Sequence, residues 1–201
     1  MLMSGGDAVG EVPAEAELKF TSDKVNANFS NYSAWHYLSK LLPRIHAAAA
    51  LEPTLREELQ LVRSAFYISP DDQSAWFYHR WLLAKLAELR GAAGGAAGGA
   101  APPVAADEAV LREELDAVRE LLELEPGCKW PLLSAALLAA ALGQPDEATA
   151  SLDECKRVDP FREKYYEHYA SQIAAPPTPT SHSVADVPLD HPAIAGSYFD
   201  R

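Results

Sequence analysis

One apolar stripe, repeated in phase, constrains the fold of this chain more than any other feature. Leu55, Leu59, Val62 and Phe66 fall at i, i+4, i+7 and i+11, which places them on one face of a helix. A shift of 56 residues lands on Leu111, Leu115, Val118 and Leu122, the same stripe. A shift of 41 residues towards the N-terminus lands on Ala14, Leu18, Thr21 and Val25, a weaker copy. A shift of 34 beyond the second stripe gives Pro145, Thr149, Leu152 and Lys156, where only the centre survives. An eroded copy at the end of an array is expected of a terminal repeat.

Other signals repeat with the stripe. Ser-Ala-Trp occurs at 33–35 and again at 74–76. An apolar-polar-Pro signature closes three of the stripes, as Ile68-Ser69-Pro70, Leu124-Glu125-Pro126 and Val158-Asp159-Pro160. Each stripe leads through a turn into a second helical run. Ser30 or Asn31 can cap the first of these runs and Asp71 or Asp72 the second, because a side-chain oxygen there accepts from unpaired first-turn amides. Pro43 is expected to stop the first run at Leu42. The unit is a helical hairpin of about 34 residues, and such hairpins bury a continuous core only by stacking on their neighbours. No alternating β-branched run is present. The expectation is an all-α, right-handed superhelix of about four hairpins, with helices near 13–27, 31–42, 54–68, 72–89, 107–124, 128–141, 146–157 and 161–173.

Three stretches lack the composition to join a core. Residues 1–12 are small and polar and read as a disordered N-terminus. Residues 91–106 hold five glycines and nothing larger than valine, so they read as a flexible linker. Residues 174–201 hold five prolines and no periodic pattern, so they read as a disordered tail. The folded material is then 13–90, carrying repeats one and two, and 107–173, carrying repeats three and four.

The formal net charge is −12, and no segment has a basic excess, so a nucleic-acid partner is not expected. The longest apolar stretch, Leu132–Leu142, is far short of the roughly 20 residues that span a bilayer. The opening residues carry neither a basic patch nor an apolar run, so no signal peptide is expected and the chain reads as cytoplasmic. The six histidines form no HExxH, and neither Cys128 nor Cys155 sits in a CxxC or beside a base. No phosphate-cradling glycine loop opens a helix. The chain is expected to hold no metal site, no cofactor and no confident catalytic residue of its own.

The informative side chains lie on the second helices. The first reads Asn31-Tyr32-Ser33-Ala34-Trp35-His36-Tyr37-Leu38, and the second reads Asp72-Gln73-Ser74-Ala75-Trp76-Phe77-Tyr78-His79-Arg80-Trp81. Trp35, Trp76, Trp81 and Trp130 read as repeat core, since aromatics dominate such cores. Several adjacent large polar groups do not all fit one core. Asn31, Tyr32, Ser33, His36, Tyr37, Asp72, Tyr78, His79 and Arg80 are therefore assigned to a cleft or a subunit interface.

Those two segments resemble the repeats of protein prenyltransferase α subunits, whose motif is roughly Asn-Tyr-x-x-Trp-x-x-Arg-Arg. The segments at 28–37 and 69–83 are most similar to the type II branch, which geranylgeranylates Rab GTPases; those at 122–133 and 156–169 resemble its later repeats. The resemblance implies an α subunit that wraps as a TPR-like crescent around a β subunit. The β subunit would supply zinc, most of the lipid pocket and the activated acceptor thiolate. The reaction would transfer geranylgeranyl from geranylgeranyl diphosphate to C-terminal cysteines of Rab GTPases presented by an escort protein. His79 and Arg80 fall where the motif usually has two arginines, and Leu38 and Ser39 depart from it.

Family α subunits carry more than four repeats. The chain therefore reads as a fragment of a longer array, a mis-started reading frame or a reduced paralogue. A non-catalytic TPR-like binding scaffold is the alternative function.

Overall fold

The computed structural model describes residues 13–95 and 108–174. The termini 1–12 and 175–201, residues 96–106 of the expected linker and residue 107 lie outside the described residues.

Eight α-helices and one short 3-10 turn account for the described elements, and no strand occurs among them. They are α1 (Ala14–Ala27), α2 (Tyr32–Ile45), α3 (Ala48–Ile68), α4 (Gln73–Gly95), α5 (Glu108–Leu124), α6 (Lys129–Ala141), α7 (Pro145–Val158) and α8 (Glu163–Ala174). A 3-10 turn at Pro160–Arg162 leads into α8. Successive helices pair as α1–α2, α3–α4, α5–α6 and α7–α8, which gives four hairpins. Second helices also meet second helices, α2 on α4 and α4 on α6, while α3 meets α5. The chain is thus a helical hairpin solenoid.

The stripes bury as their spacing demands. Leu55, Leu59, Val62 and Phe66 are buried, as are Leu111, Leu115 and Val118. In α1 only Thr21 and Val25 are buried, and the Thr21 hydroxyl donates to the Glu17 carbonyl at 2.8 Å, which satisfies it inside the helix. The fourth copy is rotated rather than eroded. Its buried residues are Ala148, Leu152 and Cys155, one face at i, i+4 and i+7. Helix α6 packs between α5 and α7, so residues from Trp130 to Ala139 are all buried and a polar face is missing.

Two prolines act differently from their sequence reading. Pro43 does not end α2, which continues to Ile45. In the last turn only the single bond from residue 43 to the Ser39 carbonyl is forfeited, and His46 N–H still reaches the Leu42 carbonyl at 3.1 Å. Helix α3 begins at Ala48, ahead of Pro53, because an alanine run costs little as helix and Leu51 is buried there. Helix α4 likewise outruns the expected 89 and ends at Gly95, inside the expected linker. Helix α6 ends in a Schellman arrangement. Gly143 has φ +69°, with Gly143 N–H on the Ala140 carbonyl and Gln144 N–H on the Ala139 carbonyl.

Candidate functional site

The second helices are placed by their first turns. The Asn31 side chain accepts from Ala34 N–H at 3.1 Å, and Asp72 Oδ1 accepts from Ser74 N–H at 2.7 Å. In the third hairpin the same place holds Cys128, which offers no oxygen; its thiol instead donates to Asp71 Oδ1 at 3.0 Å. Trp35 Nε1 donates to the Phe29 carbonyl at 2.7 Å, and Trp76 Nε1 donates to the Pro70 carbonyl at 2.8 Å. Each tryptophan therefore ties its helix to the turn six residues earlier. Both are buried, and Trp76 stacks on Phe66 with ring centroids 3.5 Å apart. Trp130 is buried as well, whereas Trp81 is half-buried and stacks on Tyr78.

Tyr32, Ser33, His36 and Tyr37 are exposed on α2, and Asn31 and Asp72 are half-buried because they cap. Tyr32 stacks on His36 at 6.0 Å and meets Phe77 of α4 edge-on at 6.2 Å. Phe77 in turn meets Trp130 of α6 edge-on at 5.6 Å. An aromatic row thus crosses three consecutive second helices. Two cations rest on it: the Arg80 guanidinium 4.9 Å from the Phe77 ring and Lys129 Nζ 5.4 Å from the Trp130 ring.

Tyr78, His79 and Arg80 stand apart from the exposed group. All three are buried within the chain, at 3, 1 and 4% exposure. The Tyr78 hydroxyl donates to Glu58 Oε2 at 2.8 Å. His79 Nε2 lies 2.9 Å from Glu114 Oε2, and Glu114 also takes Arg63 at 3.0 and 2.5 Å. The structure therefore corrects the surface assignment of Tyr78, His79 and Arg80: the Tyr78 hydroxyl and His79 Nε2 meet carboxylates from first helices, and the Arg80 guanidinium packs on the Phe77 ring. A large polar side chain enters a core when its partner is already there.

Burial raises the Glu58 carboxyl above its usual range, with the Tyr78 hydrogen bond opposing. Burial also presses Glu114 upward, but His79 and Arg63 outweigh it and hold that carboxyl below its usual range. Burial pushes the thiols of Cys128 and Cys155 up to about 12, so neither supplies a thiolate near neutral pH. No group of three metal-ligating side chains comes together among the described residues.

Sequence reasoning missed Phe77 as a link in the aromatic row, Trp130 as its continuation, and the carboxylate set Glu17, Glu58 and Glu114. A signal for the last was present. These glutamates are 41 and 56 residues apart, the same intervals that relate the apolar stripes.

The family described as protein prenyltransferase alpha subunit repeat matches residues 14–45 and 55–86, which covers α1–α2 and most of α3–α4. The chain is similar to the geranylgeranyl transferase type-2 subunit alpha of Bos taurus, 49% identical over 85 residues, covering 39% of this chain and 15% of the relative. The protein of that name from Dictyostelium discoideum is 36% identical over 138 residues, covering 67% of this chain and 40% of the relative. That from Schizosaccharomyces pombe is 29% identical over 184 residues, covering 80% and 51%. The chain thus spans about half or less of the length of these relatives.

Proposed function

Because this chain belongs to the protein prenyltransferase alpha subunit repeat family, we propose that it forms part of the alpha subunit of a type-2 geranylgeranyl transferase. In that role it takes part in moving geranylgeranyl from geranylgeranyl diphosphate to the C-terminal cysteines of Rab GTPases held by an escort protein, in the cytoplasm. The observation that carries the reading is the exposed aromatic and polar face of α2, which half-buried Phe77 of α4 joins edge-on, with buried Trp130 of α6 packed behind it. Aromatic side chains backed by cations give a subunit interface large contact area at low entropic cost.

The chemistry of the transfer would sit on a β subunit that carries zinc. This chain's cysteines are too deeply buried to act as nucleophiles. What its residues supply is position: capped, tryptophan-clamped second helices hold Tyr32, Ser33 and His36 in fixed register along one face. No helix of the described residues is long and apolar enough to cross a membrane.

Co-expression with a prenyltransferase β subunit tests the reading. A complex should co-elute, and it should transfer lipid to Rab only when both chains are present. Ser33→Arg should weaken assembly while the chain melts normally. Failure to co-elute would refute the proposal, and assembly without transfer would favour a binding scaffold.

A further inference from the structure

In the first two hairpins a glutamate on the first helix accepts from a tyrosine 20 residues later, Glu17 from Tyr37 and Glu58 from Tyr78. The third hairpin keeps the glutamate, Glu114, but Ser134 stands where the tyrosine belongs. Glu114 takes His79 of the preceding hairpin instead. The short serine leaves a small cavity between α4 and α6, partly open to solvent, lined by His79, Arg80, Leu83, Ser134, Leu137 and Leu138. Its volume of about 10 Å³ fits one oxygen-sized group.

Four buried polar atoms on three residues of this lining have no hydrogen-bond partner among the described residues: His79 Nδ1, Arg80 Nε, Arg80 Nη1 and Ser134 Oγ. Buried polar groups are ordinarily satisfied, so their concentration around one cavity points to an absent ligand. The charge identifies its sign. Arg80 has no carboxylate partner among the described residues, whereas Arg63 and Arg90 are paired with Glu114 and Glu52. Its surroundings are the Phe77 ring and the phenols of Tyr165 and Tyr169. A water could satisfy the donors but would leave the buried charge uncompensated. Two adjacent guanidinium donors and a hydroxyl suit a carboxylate, one oxygen of which enters while the other stays in the mouth. His79 Nε2 is engaged by the Glu114 carboxylate, which leaves Nδ1 as the ring's unpartnered atom.

We infer that the cavity bounded by Arg80, His79 and Ser134 is a carboxylate-binding site. Two sources share this chemistry, a free small carboxylate and an acidic side chain of the β subunit; the second source rests on the function proposed above.

The test uses the full chain alone, with formate as probe and chloride at equal ionic strength as control. Formate should raise the melting temperature of the wild-type chain along a saturable curve that chloride does not reproduce. Arg80→Gln should abolish that response, and Ser134→Val, which fills the cavity from the α6 side, should abolish it independently. No formate-specific shift in the wild type would overturn the site, as would an equal shift with chloride or an undiminished response in a folded Arg80→Gln chain. Repeating the titration on the complex with a β subunit separates the sources. A response that disappears assigns the site to a partner side chain, and one that persists assigns it to a free carboxylate. Failure to form the complex would count against the proposed function and leave the formate result standing.

Discussion

The Tyr78 hydroxyl donates to Glu58 Oε2 at 2.8 Å, and Tyr37 donates to Glu17 Oε2 at 3.1 Å across the same separation of 20 residues. One hydrogen bond is therefore built twice, once inside the array and once at its edge. Tyr78 is 3% exposed and Tyr37 42%. Loss of the inner bond strips a half-buried carboxyl of its donor, whereas water replaces the outer one. Tyr78→Phe should cost about 1–2 kcal/mol, and Tyr37→Phe less than about 0.5 kcal/mol. Chemical denaturation of the two variants checks this, and equal losses would contradict it.

Glu58 and Glu114 are equivalent by repeat yet shifted in opposite directions. Glutamine mimics a protonated carboxyl. Glu58→Gln should raise the melting temperature at pH 7, because burial disfavours the ionised form there. Glu114→Gln should destabilise by about 1–3 kcal/mol, because it removes the charge that holds both His79 and Arg63 and leaves Arg63 with Glu113 alone, at 2.9 Å.

The pH dependence follows from the same pair. The folded-state pKa of Glu114 lies below its ordinary value of 4.5. Its stabilisation is complete above that value and is lost as pH falls through the folded pKa. Glu58 acts with the opposite sign: its folded pKa lies above 4.5, and stability declines as pH rises from there through the folded pKa. Thermal melts between pH 3 and 7 should show a shallower acid loss in Glu114→Gln than in the wild type. A parallel acid limb in the two proteins would remove Glu114 as its source.

Trp76 is fully buried, stacked on Phe66 and bonded to the Pro70 carbonyl. Trp76→Ala should lower stability by about 3–5 kcal/mol. Trp76→Phe should recover much of the packing but not the bond to the turn, so it should fall between the two. A Trp76→Ala chain that melts within a degree of the wild type would show that the clamp is dispensable.

Cys128 and Cys155 are both free and buried, with thiols pushed up to about 12. A thiol reagent at pH 8 should leave the folded chain unmodified over minutes and label two sites once denaturant is added. Rapid labelling of the native chain would indicate that α6 or α7 opens locally.

The sequence by itself determined the hairpins. Periodicity of 3.6 residues, turn prolines and capping side chains are local, so the stripes at Leu55 and Leu111 and the caps at Asn31 or Asp72 were legible along the chain. The tryptophan positions were legible for the same reason, because Ser-Ala-Trp repeats at a fixed interval. Helix ends were less so: whether Pro43 stops a helix depends on which single carbonyl it leaves bare.

Only the tertiary structure decided which large polar side chains face inward. His79 reads like a surface residue beside Arg80, and it is buried because Glu114, 35 residues away, waits on α5. Ser134 is unremarkable in an alanine-leucine run. Its meaning appears when α4 and α6 pack and the place of a tyrosine is left small, with Arg80 beside it. Pairing across hairpins joins residues that no local pattern connects, and the energy of burying a charge depends on that pairing rather than on the residue.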